Sequence, residues 1–353
     1  MKQKMISFLL EHANPSIRLR VQKEIMNDLT KEEEQDFQEQ IRQEKIIKFI
    51  EEKQKPNGWI GSGFHGSNKY AGQYDNQEVG TKYMAEKGLS GTILLDRAMD
   101  AFAATELTDL CYETKGHYYN EFEIPAFGPN LIRCACIARA HYEDQIDIAP
   151  QIELSLESFQ RVTEVDSILD VTRPAKKHRL FLENERWPCR YHLEILAFTA
   201  QRWKTKENVD ILADAFRKLM RTDREDIIQT SVACWVRNHA VGPLWVLNEG
   251  YSISGDGFQS HGTDGVRRTN LEKVEWLLRC GLYEHLPELR KEVDFILDHV
   301  DENGVCSVDM YDKEFRGWSP YFGAQLETDW RAKVRRKCDV TFRALLIAHL
   351  AGV

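Results

Sequence analysis

Residues 45–61, KIIKFIEEKQKPNGWIG, constrain the fold more than any other stretch of the chain. Ile46, Ile47, Phe49 and Ile50 lay an apolar stripe along one helical face, and Pro56-Asn57-Gly58 stops the helix before Trp59. The same signal returns downstream, where Phe295-Ile296 is followed at equal spacing by Asn303-Gly304, 246 residues later. A second echo accompanies it: Tyr83-Met84-Ala85-Glu86-Lys87-Gly88-Leu89 matches Trp276-Leu277-Leu278-Arg279-Cys280-Gly281-Leu282. A chain that repeats a helix together with its stop predicts stacked helical hairpins.

Stacked hairpins grow as one body, so 353 residues are compatible with a single domain over 1–353, with pseudo-repeating halves 1–180 and 181–353. No strand-like alternation of any length is present, and the expected fold class is all-α. Helices are expected over 80–87, 92–104, 151–169, 208–220, 225–236, 271–280 and 287–299, with a last one closing the sequence. Two long glycine-rich loops, 59–78 and 242–265, interrupt the pattern, and 111–130 is aromatic and irregular. The segment 174–184 reads as the link between halves.

Charge narrows the partners. Asp and Glu outnumber Lys and Arg by 56 to 47, for a net charge of −9, and only 331–337 is locally basic. A duplex-binding protein needs a basic footprint, so no nucleic-acid partner is expected. No apolar run approaches a membrane span or a signal-peptide core, which leaves the cytosol as the expected compartment. The eight cysteines are scattered without C-x2-C pairs and read as small buried apolar residues. His239, Asp256 and His261, with Cys306 or Asp309, are a conceivable metal set, but no spacing supports it. Neither a metal nor a cofactor is expected.

Phe49, Ile50, Gln54, Gly58 and Trp59 resemble the QW motif of the squalene–hopene cyclase and protein prenyltransferase superfamily. The downstream copy keeps Phe295, Ile296 and Gly304, while Val300 replaces the Gln and Val305 the Trp. The resemblance implies an α/α toroid built from repeated helical hairpins, with the active site in its central cavity. The catalytic motifs depart from both families. There is no Asp-x-Asp-Asp to protonate an alkene and no Asp-x-Cys to bind zinc, so neither activity is carried over.

The final helix offers the strongest constellation of candidate residues. Arg331, Arg335, Asp339 and Arg343 recur every four residues on one stripe, and the helix turns apolar on all sides from Val340. Charges there must be paired, and a buried pair can hold a carboxylate or tune an acid; the bland alternative is a salt-bridge ladder. Asp329, Trp318 and Tyr321 can line the same mouth. A second constellation is Trp187, Arg190 and His192 at a helix start, where His192 can switch protonation near neutral pH. Arg133, Arg190 and Arg343 each open an apolar helical run, so their polar ends converge if those helices are buried. His65 with Glu78, and His239 with Asp256 and His261, can each set an imidazole against a carboxylate.

The expected function is acid–base chemistry on a small or medium organic substrate, isoprenoid-like or carboxylated, in a cavity lined by aromatics and arginines. Asp339 or His192 would be the catalytic proton donor. Arg190, Arg335 and Arg343 would orient an anionic group, with Trp187, Trp318, Tyr321, Asp329, His65 and Arg133 as further substrate contacts. Such an enzyme would be a lyase, cyclase or transferase. The alternatives are a non-catalytic helical-repeat module binding a protein or peptide, and a glycan or uronate lyase.

Overall fold

The two copies of the helix-stop signal adopt the same local geometry. In the first, Gln54 and Ile60 form an antiparallel bridge around Gly58 at φ +87°; in the second, Val300 and Cys306 bridge around Gly304 at φ +81°. Only glycine adopts that conformation without strain. The Gln54 side chain donates to Gly58 O at 3.2 Å and Leu94 O at 2.9 Å, fixing the turn against the helix Ile93–Ala104. The second echo is equally physical. Leu89 N–H donates to Met84 O and Leu282 N–H to Leu277 O, each around a left-handed glycine, Gly88 or Gly281, a Schellman closure. A third copy escapes the sequence pattern because His141, at φ 61°, stands where the other two have glycine.

The computed structural model describes the chain except for residues 66–73, 115–116, 121–122, 125–126, 176–177, 224–231, 237–238, 242–245, 255–267, 311–314 and 319–323. Helices α1 (Lys2–His12) and α2 (Pro15–Arg20) run into a π-helical turn, Val21–Met26. Then follow α3 (Lys31–Arg42), α4 (Lys45–Lys53), α5 (Gln77–Glu86), α6 (Ile93–Ala104), α7 (Pro129–Ala140) and α8 (Ala149–Glu164). The rest are α9 (Arg190–Phe198), the short α10 (Ala200–Trp203), α11 (Lys206–Leu219), α12 (Leu271–Arg279), α13 (Pro287–Leu297) and α14 (Lys333–Ala351).

Strands overturn the all-α expectation, and the all-α toroid with it. β1 (Cys111–Thr114) pairs with β2 (His117–Asn120). A second sheet has the order β3 (Thr172–Ala175), β4 (His178–Phe181), β5 (Val232–Val236) and β6 (His239–Val241), with β4 and β5 parallel and the other pairs antiparallel. The fold is mixed. Strands of three to five residues are too short to display a period of two, which is why the pattern hid them. β5 falls at the end of the span expected as helix over 225–236; its Val232, Trp235 and Val236 favour a pleated surface over a helix. The supposed link at 174–184 contributes to the β3–β4 hairpin, with Pro174 on β3 at the edge of the sheet, where a missing N–H is tolerated.

One hydrophobic cluster extends from Met5 to Ala348. Within it α5 packs on α7, α7 on α9, α9 on α12, α12 on α14, and α14 on α2 and the π turn. The Arg20–Glu86 ion pair, at 2.7 Å, joins α2 back to α5 and closes the circuit. α1 and α13 pack on α14, α3 on α2, α6 on α5 and α8 on α9, and α11 packs on α8.

Candidate functional site

The helices of that circuit carry charge on their facing sides. α5 places Glu78, Lys82 and Glu86 four residues apart, on one face. α12 adds Glu272, Glu275 and Arg279; α9 adds Arg190 and Glu194; α7 adds Arg139, α14 Arg343, α2 Arg20 and the π turn Glu24. These groups form a continuous chain of ion pairs. Lys82 Nζ lies 3.4 Å from Glu78 and 2.7 Å from Glu194, and Arg139 Nη1 lies 2.8 Å from Glu194. Glu86 receives Arg139 at 3.0 Å, Arg20 at 2.7 Å and Arg343 at 2.6 Å. Arg343 reaches Glu275 at 2.7 Å, Arg279 joins Glu275 to Glu24, and Arg190 holds Glu272 at 2.7 Å. Among these described groups six carboxylates face six cations, so the network is neutral before His65 is counted.

Burial makes that balance obligatory, because an unpaired charge in the interior is far costlier than a paired one. Burial pushes Glu86 upward, but Arg343, Arg20 and Arg139 overcome it and hold the carboxyl well below its usual range. The Arg139 guanidinium is held charged by Glu86 and Glu194 against the same burial. Aromatic faces complete the lining. Arg190 lies 4.4 Å from the Trp276 ring centroid, Lys82 lies 4.7 Å from that of Tyr191, and Arg139 sits over Phe198, Trp276 and Trp318.

At the amino-terminal end of α5 the network meets an imidazole. His65 Nδ1 lies 2.6 Å from Glu78 Oε2, and the Tyr191 hydroxyl donates to Glu78 Oε1 at 2.9 Å. Glu78 is wholly buried; burial raises its carboxyl, but His65 and Lys82 bring it down to about 2. An ionised Glu78 accepts, so Nδ1 of His65 is the donor in this contact. Phe64 and Trp59 pack beside this corner, 6.3 Å apart between ring centroids.

The other expected site residues separate into distinct environments. Arg190 and Arg343 join the network, each committed to carboxylates rather than presented to an anion. Arg133 does not: it donates to Phe102 O at 3.4 Å and Thr105 O at 3.0 Å, closing the carboxyl end of α6. Trp187 is fully buried and donates to Leu247 O at 2.6 Å. His192 accepts the Cys189 N–H on Nδ1 at 3.0 Å, and burial pushes its pKa down to about 3, so it is a neutral cap with no proton to give at neutral pH. Asp329 pairs at the surface with Arg331 at 2.9 Å. Arg335 donates to His12 O at 2.7 Å and lies 3.5 Å from Glu327. Tyr321, Asp256 and His261 lie outside the described residues, as does the side chain of His239.

Asp339 is buried but does not pair with Arg343. It accepts the Leu326 N–H at 2.8 Å, the Glu327 N–H at 3.1 Å and the Trp330 indole N–H at 2.5 Å. Burial nonetheless raises it to about 6. Glu327, absent from the sequence reading, is 2 % exposed and raised to about 7, by burial first and by Asp339 after it. Trp318 is buried against Tyr83, 5.3 Å between ring centroids.

Among the surface depressions of the described residues, one of about 320 Å³ is lined by Lys204, Lys206 and His285 and one of about 260 Å³ by Glu157, Arg161 and Glu185, among others. Neither touches the network. Among the described residues no cluster of His, Cys, Asp and Glu is arranged to hold a metal ion, and no helix is long and apolar enough to cross a membrane. Cys306 is buried against Ile296 O, and Asp309 pairs with Arg268 at 3.1 Å. The network's members were legible as charges spaced three or four apart on otherwise apolar helices, a signal that Glu78/Lys82/Glu86 and Glu272/Glu275/Arg279 carry as clearly as the last helix does. Comparison with family models, with curated proteins and with solved structures returns no match for this chain, and nothing in it supports the terpenoid cyclase or protein prenyltransferase assignment that the QW-like segment suggested.

Proposed function

We propose that this chain is an enzyme that moves a proton to or from a small or medium organic substrate, with His65 as the proton-exchanging group. The observation that carries the reading is the 2.6 Å contact between His65 Nδ1 and the buried Glu78. A carboxylate behind an imidazole fixes its tautomer and stabilises the imidazolium that forms when Nε2 takes a proton. Tyr191 shares the same carboxylate and holds it in place. His65 sits on the loop before α5 and is part-buried, whereas Asp339 and His192 are enclosed. The hydrophobic cluster running from Met5 to Ala348 supports reading the chain as one domain. All eight cysteines are free thiols, which fits the cytosol.

Proton transfer at carbon leaves a trace in heavy water. Incubation of the protein in D2O with mixtures of small organic acids, ketones and alcohols, read by mass spectrometry, is expected to show deuterium entering at least one compound. His65→Gln and Glu78→Gln should each reduce that exchange by about 10²-fold or more, with unchanged circular dichroism. Equal exchange by His65→Gln would remove the proposal. The second reading, a module that binds without turnover, is favoured by the commitment of Arg190 and Arg343 to carboxylates, which leaves no described network arginine as an anion clamp. Ligand binding by calorimetry without any deuterium incorporation would select it.

A further inference from the structure

The segment 324–330 lies across the carboxyl end of α5 and the flank of α14, with Ala324 and Leu326 in the hydrophobic cluster, Trp330 stacked on Phe315, and a set of polar contacts between them. Ala324 O accepts from Arg343 Nη2 at 3.1 Å. Leu326 O accepts from Lys87 Nζ and from Asn14 Nδ2, both at 2.7 Å. The N–H groups of Leu326 and Glu327 donate to Asp339, and the Glu327 carboxylate takes the Asn14 N–H on Oε1 at 2.8 Å. Glu327 Oε2 is buried with no hydrogen-bond partner. The segment is therefore fastened by two carboxyl groups close enough to repel, one of them with an orphaned oxygen.

We propose that residues 324–330 form a proton-controlled strap, held down while Asp339 or Glu327 is protonated and loosened when both are ionised. It goes beyond the role of His65 and does not rest on it. A proton on either carboxyl removes that repulsion, and with it the cost of holding a second charge in the buried pair. Both groups titrate near neutrality, Asp339 at about 6 and Glu327 at about 7, each raised chiefly by burial. The charges that face them do not cancel the repulsion. From α14, Arg335 stands 3.5 Å from Glu327, the Cys338 thiol is pushed up to about 12 by burial and stays neutral, and Arg343 is already paired with Glu86 and Glu275. From the end of α5, Lys87 is paired with Glu44 at 2.7 Å, and Tyr83 is held neutral by burial, its pKa well above the usual range.

Loosening strands no charge. Lys87 keeps Glu44 and Arg343 keeps both its carboxylates when the carbonyls of Leu326 and Ala324 leave. What lifting exposes is a set of cation N–H groups and the Asn14 amide, donors suited to carboxylate or phosphate oxygens of a ligand.

The test is hydrogen exchange of the full chain, read by mass spectrometry on peptides spanning 324–330 at pH 5.5 and 8.0 after correction for intrinsic rates. The expectation is at least fivefold weaker protection at pH 8.0 in the wild type, and strong protection at both values in Glu327→Gln, whose side chain still accepts from Asn14. Equal protection at the two values in the wild type, or a pH dependence that survives in Glu327→Gln, overturns the proposal. Should the variant fail to fold, carbon-13 spectra of carboxyl-labelled wild-type protein decide instead. Resonances of Asp339 and Glu327 that titrate between pH 5 and 8 uphold it, and carboxylates that stay ionised down to pH 4.5 overturn it.

Discussion

Arg343 Nη2 lies 2.6 Å from Glu86 Oε1, an ion pair between side chains 257 residues apart in the chain. Glu86 is the only carboxylate in the described network that receives three arginines, from α2, α7 and α14, so it is the hub through which the helical circuit is tied. Removing it leaves three guanidinium groups sharing the remaining acids. Glu86→Gln is expected to destabilise the fold by about 3–5 kcal/mol, the cost of breaking a buried pair from one side. Urea denaturation followed by circular dichroism measures it; a loss under about 1 kcal/mol would mean that the arginines find water or other partners.

Turn chemistry makes a sharper comparison. Gly58, Gly304 and Gly91 all have positive φ, yet a Cβ on Gly58 would stand 1.8 Å from Arg97 O and one on Gly304 2.4 Å from the Lys4 backbone, while one on Gly91 meets nothing within 4 Å. Gly91→Ala should therefore show only the backbone strain, about 1–2 kcal/mol. Gly58→Ala and Gly304→Ala must also move neighbouring backbone and should lose clearly more. Thermal melts of the three variants, ranked by Tm, test the order. Equal losses would show that neither turn is pressed against its neighbour.

Gly58 and Gly304 were legible because a repeated stop signal leaves the same residue at the same spacing; Gly91 belongs to no such repeat. The turn after α7 was not, since His141 supplies the left-handed residue there and carries no such signature. Strands were hidden for a different reason. A four-residue strand such as His178–Phe181 is defined by its partner, not by its own sequence. Asp339 and Arg343 are buried, as the apolar run from Val340 implied, whereas Arg335 is half-exposed; spacing names neighbours on one helix and says nothing of other helices. Arg343 consequently found Glu86 and Glu275, and Asp339 found backbone N–H groups and Trp330.

Histidine burial sets the acid limb of stability. His192 is pushed by burial down to about 3, and His141, again chiefly by burial, down to about 4. A base whose folded pKa is lowered contributes stability above its unfolded value, near 6.5, and that stability is lost as pH falls from there toward the folded value. Asp339 and Glu327 act in the opposite sense. Their folded values are raised, so their contribution is complete at acid pH and disappears as pH rises through about 6 to 7. His192→Gln, which keeps an acceptor for the Cys189 N–H, should therefore flatten the loss of stability between pH 6.5 and 4. Denaturation midpoints across that range check it, and an unchanged slope would place the acid sensitivity elsewhere.

Lys82 offers the most demanding test of charge balance, because it is fully buried between two carboxylates and over the Tyr191 ring. Lys82→Met removes the cation and keeps most of the volume. Glu78 retains His65 and Tyr191, but Glu194 is left with Arg139 alone among the described partners, so a loss of about 3–5 kcal/mol is expected. Adding Glu194→Gln removes the stranded charge and should restore a sizeable part of that loss, a coupling of about 1–3 kcal/mol in a double-mutant cycle. The restoration is expected to be incomplete, because Arg139 then loses one of its acids. Additive losses in the double variant would show that Lys82 and Glu194 act independently, and that the network is a set of separate pairs rather than a balanced whole.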